Sequence, residues 1–263
     1  MLTVQKIYNG VSVSIFALTV LLTVMQKELL FAQESNGAEE VNAEHAIGAE
    51  FEIGNNYVWH GLLWNEQPVA HPYLWWECDG WSADVYTNFV LGNEPYKHTF
   101  NEVDVAVGKS ITSRALTLEA SLQYYIYPGQ ADAPNTMMFI AIFTNEVTDA
   151  ISVSIDAEYD VLAYSGAIFS EIGITANFGN DELSIENILA VGAANSVFND
   201  AYVGISRDAV SLLHFDTAIT YVLENNISIR PHCEFSTLLH TSLRNAVARA
   251  DNVTFGVVLS YQF

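Results

Sequence analysis

The chain ends in Val253-Thr254-Phe255-Gly256-Val257-Val258-Leu259-Ser260-Tyr261-Gln262-Phe263, and this stretch restricts the fold more than any other part of the sequence. Its odd-numbered positions are all large and apolar, whereas most even-numbered positions are small or polar. Because successive side chains of a strand point to opposite faces, the stretch predicts a β-strand with one apolar face. A strand of a soluble sandwich alternates in the same way but tolerates a charged or polar end, so the terminal phenylalanine favours a strand that faces lipid.

The same period of two recurs along the chain from residue 46 onwards. A helix would mix the apolar and polar residues that this pattern keeps on separate faces. The pattern therefore predicts an all-β protein, a transmembrane antiparallel β-barrel of about 12 strands, with ten or fourteen strands as the alternatives. The predicted strands cover residues 49–53, 69–78, 81–89, 102–107, 116–126, 136–144, 151–160, 168–178, 183–191, 213–224, 227–236 and 253–263.

Short turn signals separate some of these strands, and long connections separate the others. Asp79-Gly80, Gly179-Asn180-Asp181 and Asn225-Asn226 suit tight hairpins, whereas residues 128–135 and 236–252 are long loops. Short turns on one rim and long loops on the other are typical of outer-membrane barrels. We therefore place both termini and the short turns on the periplasmic side.

An even strand number depends on how residues 193–210 are interpreted. A strand at residues 201–206 would give thirteen strands, and bacterial barrels prefer even numbers. We therefore predict one long outer loop over 193–210, with a structured segment at residues 198–202.

The composition excludes several classes of protein. Of the 263 residues, 51% are hydrophobic and 15% are charged, so a disordered chain is excluded. With 31 acidic residues against 9 basic ones, the formal net charge of −22 excludes nucleic acid as a partner, because its phosphates are repelled. Cys78 and Cys233 are too few for a disulfide scaffold and belong to no zinc or redox motif.

The first residues are typical of an export signal. Lys6 supplies a positive charge, and residues 11–25 form an apolar segment of the length that signal peptides use. An uncleaved anchor helix is the alternative, which the interruption by Lys27-Glu28 disfavours. The predicted organisation is a signal peptide at 1–32, a flexible periplasmic lead at 33–45 and an outer-membrane barrel at 46–263.

Aromatic residues are frequent, with 13 tyrosines, 14 phenylalanines and 5 tryptophans. Such residues form girdles at both membrane interfaces of outer-membrane barrels, although for each one an ordinary core position is the alternative. The girdle candidates are Tyr57, Trp59, Trp75, Trp76 and Trp81.

Short motifs are spread over most of the mature chain. They are Asn56-Tyr57-Val58-Trp59-His60-Gly61-Leu62 with Gln67-Pro68-Val69, then Gly80-Trp81, Asn101-Glu102-Val103-Asp104, residues 124–128 and residues 256–263. Together they resemble the TorF-like porin family, except that His60 stands where the family pattern has arginine. The resemblance implies a Gram-negative outer-membrane barrel with channel activity and an unassigned substrate. The terminal aromatic residue also resembles the signal that the barrel assembly machinery recognises.

Acidic residues occupy many inward positions of the predicted strands. Rings of carboxylates concentrate cations and exclude anions, which predicts a passive channel for small cationic or neutral solutes. The alternative is that these positions are acidic only because the host lives in saline water. The expected pore-lining residues are Glu50, Glu52, Asp84, Glu102, Asp104, Glu119, Asp156, Glu158, Asp160, Glu186, Asp216, Arg230 and Glu234.

Two other functions stay open at this point. A barrel hydrolase acting on lipid would use Ser211, His214 and Asp216, and a plugged structural barrel would transport nothing. His60, His71 and His98, which we place in loops or at strand ends, match no metal-ligand spacing. We therefore expect no catalytic residues, no metal and no cofactor, and outer-membrane lipid as the surroundings.

Overall fold

The computed structural model describes residues 45–92, 97–130, 133–224 and 226–263. Within them, twelve antiparallel strands form a closed barrel in which each strand pairs with its sequence neighbours, and a separate two-stranded hairpin follows the first strand. The strands are β1 (His45–Gly54), β2 (Tyr57–Trp59), β3 (Leu62–Asn65), β4 (Val69–Cys78), β5 (Trp81–Val90), β6 (Phe100–Ser113), β7 (Leu116–Ile126), β8 (Thr136–Thr148), β9 (Ile151–Asp160), β10 (Ile168–Gly179), β11 (Leu183–Ala194), β12 (Ala209–Glu224), β13 (Ile227–Leu238) and β14 (Asp251–Gln262). The predicted barrel of twelve strands is confirmed.

The N-terminal predictions lie almost entirely outside the described residues. The signal peptide at 1–32 and the lead up to residue 44 are not described, so both stay predictions. His45, which we assigned to the lead, is already the first residue of β1.

The terminal strand closes the barrel as its sequence pattern predicts. β14 pairs with β1 from Gly48↔Gln262 to Gly54↔Gly256, and with β13 on its other side. Its odd-numbered apolar side chains are exposed on the outer face, with Phe255 57% and Leu259 50% accessible. The opposite face points into the barrel, where Val258 is buried.

The two rims differ as expected for an outer-membrane barrel. Four fully described short turns and both ends of the barrel sequence lie on one rim, and the first turn has positive φ at both Asp79 (49°) and Gly80 (73°). The turn predicted at Asn225-Asn226 includes Asn225, which lies outside the described residues. The other rim carries the β2–β3 hairpin and the long loops. Two of these loops contain the helices α1 (Ser196–Val203) and α2 (Thr241–Ala246).

The structured segment predicted inside the loop between β11 and β12 is α1. Asn195 caps this helix, because its side chain accepts a hydrogen bond from the backbone N–H of Phe198, and Gly204 ends it with a φ of 74°. No helix in the described ranges is long and apolar enough to cross a membrane.

Two of the girdle candidates lie on the outer surface of the barrel. Trp76 and Trp81 lie on the outer face near the short-turn rim, and the Lys109 ammonium lies 5.3 Å from the Trp81 ring centroid. Trp75, by contrast, points inward and its ring covers Gly48, where a Cβ atom would collide with it. The girdle assignment is therefore wrong for Trp75, because alternation along β4 puts neighbouring tryptophans on opposite faces.

Candidate functional site

The barrel interior contains all the side chains that we expected to line a pore. Each of the expected residues alternates along its strand with outward residues, many of which are exposed and apolar. The inward set is Glu50, Glu52, Asp84, Glu102, Asp104, Glu119, Asp156, Glu158, Asp160, Glu186, Asp216, Arg230 and Glu234. Sequence reasoning missed Glu171, although alternation with Ile172 on β10 puts it on the same inner face.

The β2–β3 hairpin folds into the outer half of the barrel. Its two-residue turn has positive φ at His60 (49°) and Gly61 (75°), as in the type I′ turns of tight hairpins. The Asn252 side chain on β14 donates to the Gly61 carbonyl over 3.0 Å. A side chain at Gly61 would clash with Leu212, since the added Cβ atom would lie 2.6 Å from Leu212 Cδ1.

An aromatic cluster joins the hairpin to α1 and to the wall at β10. Trp59 packs against Phe198 and Tyr202, with ring centroids 5.7 and 5.0 Å apart, and His60 packs against Phe169 at 3.9 Å. Trp59 is therefore not a girdle residue, and neither is Tyr57, which packs against the inward His71. Both aromatic rings pack inside the barrel and not at an interface with lipid.

A second apolar contact fixes the hairpin next to its turn. Leu62 on β3 packs with the buried Leu238 and Leu243, which belong to β13 and α2. The two clusters together fill the outer mouth beside β10–β13 with apolar side chains. Water and ions are therefore excluded from that side of the mouth.

Two cavities among the described residues lie away from these clusters. A cavity of about 230 Å³ is lined by residues of β4–β8, among them Asp84, Glu119 and Gln123. A second cavity of about 180 Å³ is lined by Glu50, Glu52, His71, Tyr73, Tyr86 and Val258, and Tyr73 borders both. Carboxylates thus line both of these cavities.

Several of the inward carboxylates are paired with histidines. Glu52 lies 3.4 Å from His71 Nδ1 and 3.0 Å from His232 Nε2, and Glu158 lies 3.0 Å from His60 Nε2. The contact between Glu52 and His232 crosses β14 above Gly256, where a Cβ atom would lie 2.6 Å from Glu52 Oε1. Because Gly256 has no side chain, Glu52 on β1 and His232 on β13 can form a hydrogen bond across β14.

Asp160 has a structural role at the outer rim. Thr136 donates to its Oδ2 atom over 2.6 Å, and the backbone N–H groups of Leu162 and Tyr164 donate to its Oδ1 atom over 2.8 and 3.1 Å. These bonds shape the loop between β9 and β10. Both carboxylate oxygens of Asp160 therefore accept hydrogen bonds from the protein, so they are not free to bind a permeating ion.

The residues considered for a hydrolase do not form a triad. The His214 nitrogens lie 3.9 Å from Glu171 Oε1 and 3.8 Å from Glu234 Oε1, whereas Ser211 Oγ donates to the Gly192 carbonyl over 3.4 Å. Asp216 faces His232 instead, at 4.0 Å. Among these contacts, Ser211 and His214 do not hydrogen-bond to each other, as the nucleophile and base of a triad do.

The histidines considered as metal ligands are also dispersed. His60 and His71 face carboxylates on different walls, and His98 lies in the loop between β5 and β6. Across the described ranges, no three side chains of the His, Cys, Asp or Glu type come together as metal ligands.

Comparison with known proteins identifies the fold. No protein-family model matches the chain, and no curated protein matches it. The NanC porin is similar over 81% of this chain and 98% of its own, with a TM-score of 0.53 and 11% identity. The KdgM porin in complex with disordered oligogalacturonate is similar over 83% of this chain and 99% of its own, with a TM-score of 0.51 and 11% identity.

An outer membrane channel from Pseudomonas putida F1 is similar over 86% of this chain and 97% of its own, with a TM-score of 0.50 and 7% identity. At these identities the likeness shows the fold, which is that of bacterial outer-membrane barrels. The apolar outer face described above is the surface that such barrels expose to lipid.

Proposed function

We propose that the chain is an outer-membrane channel for the passive diffusion of small cations and neutral solutes. The observation that carries the proposal is the charge of the inner wall, where the described residues place the twelve expected carboxylates and Glu171 together with one arginine, Arg230. Fixed negative charge on a wall that is partly shielded from bulk water raises the local concentration of cations and repels anions. Outer-membrane lipid and the barrel assembly machinery are the partners that this function requires.

The route through the outer mouth follows from the packing of the hairpin. The aromatic and apolar clusters occupy the side at β10–β13, so we place the path of solutes on the side of β4–β9, where the cavity lined by β4–β8 lies towards the short-turn rim. Glu102 and Asp104 on β6 border this side, together with Glu158 on β9.

The similar porins support a channel but not the same cargo. Oligogalacturonate, the ligand of the KdgM complex, is a polyanion. The strongly acidic lumen of this chain would repel a polyanion at every level of the wall. We therefore assign the chain to porin-like channels, within which the TorF-like family fits its motifs, and we propose a different selectivity.

A plugged structural barrel is the second candidate, and the inward hairpin favours it. Planar-bilayer recording of the refolded protein distinguishes the two. The proposal expects stepwise conductance in KCl from barrels that show heat-modifiable gel mobility. Folded barrels that insert and pass no current would refute the channel and support the plugged barrel.

A further inference from the structure

Two carboxylates lie side by side on the inner face of β6, close to the outer mouth. Glu102 and Asp104 are two residues apart, so their side chains leave the strand in the same direction about 7 Å apart. They are 8% and 3% exposed, respectively. The Oδ1 atom of Asp104 is buried and accepts no hydrogen bond.

The side chains that hydrogen-bond to this pair are neutral. The Tyr57 side chain is hydrogen-bonded to Glu102, and the Gln123 amide donates to Asp104 Oδ2 over 3.3 Å. As far as the chain is described, no Lys, Arg or His forms an ion pair with either carboxylate. Glu52 and Glu158, by contrast, each have an imidazole at 3.0 Å.

Two buried carboxylates without a positive partner are unfavourable, because burial removes the water that stabilises their charges. We propose that Glu102 and Asp104 bind one divalent cation of the Ca²⁺ class, which neutralises the pair. Ca²⁺ is coordinated by oxygen atoms, and the free Oδ1 atom of Asp104, the Glu102 carboxylate and the Tyr57 hydroxyl supply them, with water completing the shell.

The expected affinity follows from the small number of charged ligands. The site offers two carboxylates, and Ca²⁺ sites weaken as the ligand charge falls, so we expect a Kd of about 10⁻⁴–10⁻³ M. The site rests on the proposed function in one respect, because a bound Ca²⁺ would remove two negative charges from the path of permeating cations. Occupancy would therefore reduce the preference for K⁺ over Cl⁻.

The test measures Ca²⁺ binding directly on the folded, detergent-solubilised barrel by equilibrium dialysis of ⁴⁵Ca²⁺. We expect Asp104→Asn to weaken saturable binding at least tenfold, and Glu102→Gln to do the same. Asp149→Asn is the matched control, because Asp149 is exposed in the turn between β8 and β9. This control should bind as the wild type does.

Two results would overturn the site. One is a wild-type barrel with no saturable binding up to 10⁻² M free Ca²⁺, on the order of tenfold above the weakest expected Kd, as expected if the pair shares a proton. The other is equal binding by Asp104→Asn, Glu102→Gln and Asp149→Asn. Dialysis needs no current, so a barrel that binds Ca²⁺ but does not conduct would refute only the channel, and a cation-selective barrel without Ca²⁺ binding would refute only the site.

Discussion

The docking of the β2–β3 hairpin inside the barrel should depend on Trp59. Its ring contacts Phe198 and Tyr202 on α1, and each such aromatic pair contributes about 0.5–1.5 kcal/mol beyond the apolar area that it buries. The partly buried indole adds apolar burial to this, so Trp59→Ala should cost about 2–4 kcal/mol of docking free energy. Since about 1.4 kcal/mol is a factor of ten, the undocked population should rise about 30- to 700-fold.

Single-channel recording measures this change. An undocked hairpin frees the side of the mouth at β10–β13, so Trp59→Ala should show larger or more frequent high-conductance states than the wild type. Trp76→Ala is the matched control, because Trp76 lies on the outer face near the opposite rim. The assignment of the hairpin as the occupant of the mouth would be refuted if both variants had the conductance and open-state statistics of the wild type.

Two further predictions concern the barrel, and a third concerns its export. Val257→Lys should destabilise the barrel by about 2–4 kcal/mol if Val257 lies near the bilayer midplane, as measured by urea unfolding in lipid; an unchanged free energy of unfolding would contradict a lipid-facing β14. Gly256→Val should separate Glu52 from His232 and lower the unfolding temperature, whereas a melt equal to that of the wild type would show that the contact across β14 is dispensable. Export should remove residues 1–32, and N-terminal sequencing of membrane-extracted protein that begins at Met1 would contradict this.

The barrel could be predicted from the sequence because its wall is periodic. Every predicted strand occurs, and the apolar faces point outward, since period two determines both the strands and the side chains that they expose. The turn at Asp79-Gly80 could be predicted equally well, because an aspartate followed by a glycine suits positive φ at both positions.

The interior of the outer mouth could not be predicted in the same way. His60-Gly61 has the same turn chemistry as Asp79-Gly80, and that signal could have revealed the β2–β3 hairpin. Its strands of three and four residues are too short to show a period, however. Nothing in the local sequence states that Trp59 packs against Phe198, because that contact joins segments far apart in the chain.

The partners of individual carboxylates also could not be predicted from the sequence. Alternation places Glu52 and Asp160 on the inner face, but it does not reveal that one pairs with two histidines and the other orders a loop. These contacts depend on strand register and on the closure of β1 against β14, which are properties of the whole barrel.

The acidic lumen as the origin of selectivity is tested most directly by reversal potentials of the conducting wild-type barrel across a KCl gradient. The account predicts a potential of the sign for K⁺ preference, larger in dilute salt, because the Debye length is about 10 Å at 0.1 M and about 3 Å at 1 M. Replacing Glu102, Asp104, Asp156 and Glu158 by their amides should reduce this potential while the barrel stays folded. A wild-type potential of zero, or of the sign for Cl⁻ preference, would contradict the account.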